Sequence, residues 1–140
     1  MHVKFGAATL SILAVVLALG IVVGSTSGTA AASDSRLRLE GDLNAAASLT
    51  SGDAKFEHRS DRTRFSAEVE DTSIACGELH VFHVASSTTA LGAMTADGVG
   101  VCDLNLDTRD GDSVPGMSAS DIIEVRQGTT VVVSGSLMPK

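Results

Sequence analysis

The chain has no tryptophan and no tyrosine, and only four phenylalanines. Grooves that bind sugars or extended peptides rely on aromatic platforms, so this scarcity lowers both readings. Basic residues are outnumbered, with 10 Lys and Arg against 17 Asp and Glu. Nucleic acids and anionic membrane surfaces demand a stripe of phosphate-neutralising cations, and the sequence carries none, so no nucleic-acid partner is expected. Catalytic signatures are missing too: there is no G-x-S-x-G elbow, no H-E-x-x-H pair and no G-x-x-x-x-G-K phosphate loop. Beyond residue 32 no segment repeats its apolar residues at a helical period, which argues against a helical or α/β domain.

What is present begins with one long apolar run. Phe5 to Gly24 follows Lys4 and precedes a small polar stretch ending in Ala30-Ala31-Ala32. That order predicts a secretory signal peptide over residues 1–32, cut after Ala32. The alternative is an uncleaved anchor, because about 20 apolar residues also span a bilayer. Membrane contact is expected through this segment alone. The remaining 108 residues, 33–140, are sized for a single domain, and losing Lys4 moves the formal net charge from −7 to −8. Two cysteines in an exported chain, Cys76 and Cys102, predict one disulfide, the alternative being two buried thiols.

Period-2 alternation runs through residues 33–140. Leu37, Leu39 and Leu43 alternate with Arg36, Arg38, Glu40 and Asp42, which predicts a strand with one dry face. Ala54, Phe56 and His58 alternate with Lys55, Glu57 and Arg59, and after a tip at Ser60-Asp61 the returning strand sets Phe65, Ala67 and Val69 opposite Arg64, Ser66, Glu68 and Glu70. Opposite charges are expected to face each other across this hairpin. Glu78 to Ala85 is apolar on both faces and reads as a central strand, and Ala90 to Thr95 as a weak one. The organising strand is Val99 to Asp107, with Cys102, Leu104 and Leu106 on one side and Val101, Asp103, Asn105 and Asp107 on the other. Ile122 to Arg126 and Thr130 to Leu137 complete the set, Val131, Val132 and Val133 suggesting burial on both faces. The expectation is an all-β fold: an antiparallel β-sandwich of about eight short strands, with a small β-barrel as the alternative.

The most distinctive chemistry follows the organising strand, where Asp107-Thr-Arg-Asp-Gly-Asp112 packs four charges around one glycine. Asp103, Asn105, Asp107, Asp110 and Asp112 are candidate oxygen ligands for calcium. The register is wrong for a standard calcium loop, with Thr108 where glycine is required and Val114 where the bidentate acid belongs. The competing reading is turn chemistry, in which Asp-Gly sets the backbone and Arg109 pairs with Asp107 or Asp112. His80 and His83 lie three apart on a strand and point to opposite faces, so they cannot chelate one ion, and His58 is the remaining candidate zinc ligand. Arg59, Arg62 and Arg64 with His58 suit an anion, but Glu57, Asp61, Glu68 and Glu70 make a solvated ion-pair face the expected arrangement.

Arg36-Leu-Arg-Leu-Glu-Gly-Asp-Leu43, the hairpin return ending Phe65-Ser-Ala-Glu-Val-Glu-Asp71, Asp103 to Pro115, and Val131-Val-Val-Ser-Gly-Ser-Leu137 together resemble a small exported module of uncharacterised bacterial envelope proteins. The likeness covers most of Arg36 to Leu137 and is sharpest over Leu104 to Pro115, an L-D-T-R-D-G-D-x-V-P signature; the cysteine pair is not part of it. The resemblance implies a β fold and export, and no reaction. The functional expectation is therefore an exported, non-enzymatic structural or interaction module with a protein or envelope partner. A calcium-stabilised binding module is second and a secreted hydrolase or metalloenzyme third. No cofactor is expected unless it is calcium.

Overall fold

The computed structural model of the protein describes residues 35–84 and 89–140; the signal-peptide reading of residues 1–32 lies outside them. Ten strands form among the described residues: β1 (Leu37–Asn44), β2 (Ser51–Arg59), β3 (Arg62–Glu70), β4 (Leu79–His83), β5 (Gly92–Ala93), β6 (Thr95–Ala96), β7 (Cys102–Asp107), β8 (Ile122–Gln127), β9 (Thr130–Ser136) and β10 (Met138–Pro139). Between them lie two short 3-10 turns, Cys76–Glu78 and Thr108–Asp110. Every strand pairing is antiparallel.

The strands form one sheet in the order β5-β4-β8-β9-β1-β2-β3-β7-β6, with β10 pairing β1. Its two ends are held by neighbouring residues of one segment. Gly92 and Ala93 pair with Val81 and His80, while two residues later Thr95 and Ala96 pair with Asp103 and Cys102. The Met94 amide between them donates to the Leu79 carbonyl at 2.9 Å. A sandwich needs two sheets, whereas here one continuous sheet nearly closes on itself, which is the barrel arrangement.

Alternation explains the core. Across β1, β2, β3 and β7 the inward rows read Leu39–Phe56–Phe65–Leu106, Gly41–Ala54–Ala67–Leu104 and Leu43–Gly52–Val69–Cys102. Leu79, Val81, Ile123, Val125, Val133 and Leu137 close the core from the other side, all fully buried. Leu37 and His58 share this parity but sit at the rim and stay exposed. Glycine is required where β1 and β9 cross. A side chain at Gly135 would run into the Asp42 carbonyl, and one at Gly41 into that of Ser136.

Two strand expectations change. β4 is buried on one face only: Phe82 lies on the outer face beneath the Arg126 guanidinium, 4.4 Å from its ring centre. The Val131–Val133 run is not buried on both faces either. A register shift opposite Val125 and Arg126 leaves Val131 45% exposed, whereas Val133 is fully buried.

Cys76 and Cys102 form a disulfide, with Cα atoms 5.3 Å apart. It joins the 3-10 turn that leads into β4 to the first residue of β7. Crosslinking across 26 residues restricts the unfolded chain by about 3.5 kcal/mol in the chain-entropy picture.

Candidate functional site

The outer face of β1, β2, β3 and β7 carries the polar chemistry, and strand register sorts it into rows. Arg38–Glu57–Arg64–Asp107 alternates in charge across the four strands. The next row is Glu40–Lys55–Ser66–Asn105, and the third is wholly acidic: Asp42–Asp53–Glu68–Asp103. The expected pairing of opposite charges thus holds for Glu57 and Arg64 but fails for Asp53 and Glu68. Desolvation and the charges of Asp53, Glu70 and Asp97 push the Glu68 carboxyl above its ordinary range.

The Asp107–Asp112 loop packs onto the tip of the β2–β3 hairpin. Asp107 ends β7 and caps the Thr108–Asp110 turn, its Oδ1 accepting from the Arg109 amide at 3.0 Å. Arg62 Nε donates to both Asp107 oxygens, at 3.0 and 2.9 Å, and Arg62 Nη2 adds a third bond. Arg64 stands further off, at 3.6 Å. The side chain expected in solvent is therefore only 7% exposed. The Arg62 bonds outweigh desolvation and, with the Arg109 amide, hold its pKa down at about 2.

The rest of the loop is closed by its own groups. Asp112 Oδ2 accepts from the Asp107 amide at 2.9 Å, and the Asp112 amide donates to the Asp107 carbonyl at 3.2 Å, as a neighbouring strand would. Gly111 supplies the left-handed corner with φ +90°. The Thr63 amide donates to the Thr108 hydroxyl at 3.0 Å. Arg109 corrects its expected pairing: its side chain reaches Asp61 at the hairpin tip, while Arg62 takes Asp107. Sequence separation hid this, because Arg62 and Asp107 lie 45 residues apart.

The five candidate calcium ligands do not converge on one point. Asp107 and Asp112 are bound as described, Asp103 and Asn105 hydrogen-bond each other, and Asp110 borders a hollow with Arg38 and Arg64. No group of three or more His, Cys, Asp or Glu side chains among the described residues is placed to hold a metal ion. His80 and His83 lie on opposite faces of β4, and His58 bonds Thr63 through Nδ1 at 2.8 Å.

One polar pair carried no sequence signal. His83, 2% exposed, has its Nε2 2.8 Å from Asp121 Oδ2, and the same oxygen accepts from the Ser118 amide at 2.8 Å. Desolvation works to raise the Asp121 carboxyl, but these partners prevail and lower it. The pair ties the segment before β8 to the end of β4.

The described residues thus form a disulfide-bonded, nearly closed antiparallel barrel whose distinctive loop is tied to the β2–β3 hairpin. No protein-family model matches the chain, and no curated protein matches it.

Proposed function

We propose that the protein is an exported, non-enzymatic structural or interaction module that works in the cell envelope or outside the cell. The observation that carries this reading is the disulfide across the barrel, a bond compatible with an oxidising compartment. The use of the acidic loop supports it: Asp107 and Arg109 are spent on holding the loop against the β2–β3 hairpin, and Asp112 on closing the loop onto the Asp107 backbone. The resemblance over Leu104 to Pro115 agrees with export and names no reaction. Pull-down from a native cell envelope fraction, with mass spectrometry of the exported chain's N-terminus, tests the proposal. A defined envelope partner and a start near Ser33 are expected. Retention of the intact chain in the cytoplasm with reduced cysteines would overturn it.

Calcium stabilisation is the second reading, favoured by the wholly acidic Asp42–Asp53–Glu68–Asp103 row, which contains one of the expected ligands and in which only Asp53 has an ion-pair partner, Lys55, among the described residues. A calorimetric titration giving saturable heat and a raised melting temperature would establish it. A flat titration removes it.

A further inference from the structure

The surface between the first two outer rows is hollowed, with about 340 Å³ of space bordered by Arg38, Glu57, Arg64, Ser66, Asp107 and Asp110 among others. From sequence, Glu57, Asp61, Glu68 and Glu70 make a solvated ion-pair face the expectation for the hairpin arginines. The register changes that balance. Glu68 lies four residues along β3 from Arg64, roughly 14 Å away at a strand's rise of about 3.4 Å per residue, and Glu70 lies further still. In exchange β1 and the residue before it bring Arg38 and Arg36 to the same end of the face.

Most carboxylates bordering the hollow already hold a cation. Glu40 takes Lys140 Nζ on both oxygens at 2.8 Å. Glu57 takes Arg36 at 3.1 Å and also Arg59. Asp107 takes Arg62. Lys55 is drawn to Asp53 at 2.7 Å. Two guanidiniums are left with long contacts only: Arg38 at 3.9 Å from Glu57, and Arg64 at 3.6 Å from Asp107. They are 44% and 55% exposed and stand in one row, with β2 between them. Ser66, in the adjacent row, makes no side-chain hydrogen bond to the described residues, and its hydroxyl is available as a further donor. Asp110 is the carboxylate on this border with no ion pair among the described residues, so two loosely held cations face one such acid, with Glu57, already paired to Arg36 and Arg59, between them in the row.

We propose that this hollow is a binding site for a small oxyanion-bearing ligand (a sulfate, a phosphate or the carboxylate of a sugar acid), gripped between Arg38 and Arg64 beside Ser66. Guanidinium forks match such groups in bidentate geometry. The space admits a six-carbon acid, and with no aromatic wall among the bordering side chains except Phe56 and Phe65, which belong to the core, recognition falls on the charge and not on a stacked ring. The site does not depend on export, or on the protein being non-enzymatic.

The test is a titration of the folded protein with sodium sulfate, sodium phosphate and sodium glucuronate, each against sodium chloride at matched ionic strength. Amide and arginine Nε–H resonances are followed by NMR. Saturable shifts at Arg38, Arg64 and Ser66 are expected with at least one oxyanion and not with chloride. Stronger binding of glucuronate assigns the site to sugar acids, and stronger binding of sulfate or phosphate to the inorganic or esterified oxyanion. Arg38→Gln and Arg64→Gln should each weaken binding about tenfold, the worth of one charge-assisted pair near a surface. Arg38→Lys should retain part of it, and Arg126→Gln, on the other half of the barrel, should leave it unchanged. Melting curves confirm that each variant is folded. Shifts that fail to saturate, that chloride reproduces, or that survive in both folded glutamine variants would overturn the proposal.

Discussion

At the scale of single residues, two carboxyls on one face respond to acid in opposite directions. Asp107 is depressed to about 2 in the folded protein, below an ordinary value of 3.8. Its contribution to stability is complete above the unfolded value and is lost as pH falls from there through about 2. Asp107→Asn should lower the melting temperature by several degrees at pH 7 and flatten the acid limb of the stability curve, as urea melts between pH 2 and 7 would record. Glu68 is raised, so its ionised form costs stability above the folded value, and that cost disappears as the group takes up a proton. Glu68→Gln should therefore raise the melting temperature by a few degrees at neutral pH, with the gain vanishing on acidification. A gain that is independent of pH would show that repulsion within the acidic row is not its source. Sequence showed that Asp107 lies on the outer face but not that it is buried, since its cover comes from Arg62, a residue remote in the chain.

At the scale of elements, the strands were legible because alternation is a local property. The two-residue tip at Ser60-Asp61 and the single-faced burial of β2 and β3 follow from hydrophobic pattern alone. Closure was not legible, since nothing in Gly92 to Ala96 announces that adjacent residues serve opposite ends of a sheet. The valine run misled because a register shift turned one apolar side chain outward. The β1–β9 crossing gives an element-scale prediction. Gly135→Ala should destabilise by about 1–3 kcal/mol through overpacking against backbone that cannot yield. Gly116→Ala, where an added methyl meets nothing within 4 Å, should change stability little. Chemical denaturation of both variants decides it, and equal midpoints would mean that the two strands can separate at no cost.

At the scale of the whole molecule, the disulfide and the barrel secure each other. Reduction should lower stability by about 2–4 kcal/mol without abolishing the fold, because the core rows stand without it. Free-thiol counting on unfolded, unreduced protein should find none, and denaturant melts with and without reductant should give the difference. Coincident melts would remove the structural role of the bond. The Cys76–Cys102 pairing was legible because two cysteines allow only one partner each, while the location of Cys102 at the very start of β7 needed the structure.

The arrangement of β1 sets a condition on when the molecule can fold. It pairs with β2 beside it in sequence, but also with β9 and β10, and the Lys140 amide donates to the Arg38 carbonyl at 3.2 Å. The first strand of the barrel therefore cannot complete its pairing until residues 130–140 have emerged from the ribosome. Pairings this distant in sequence form slowly. Under the export proposed above, such wiring would leave the barrel incompletely paired during passage and let it close only once residues 130–140 have arrived.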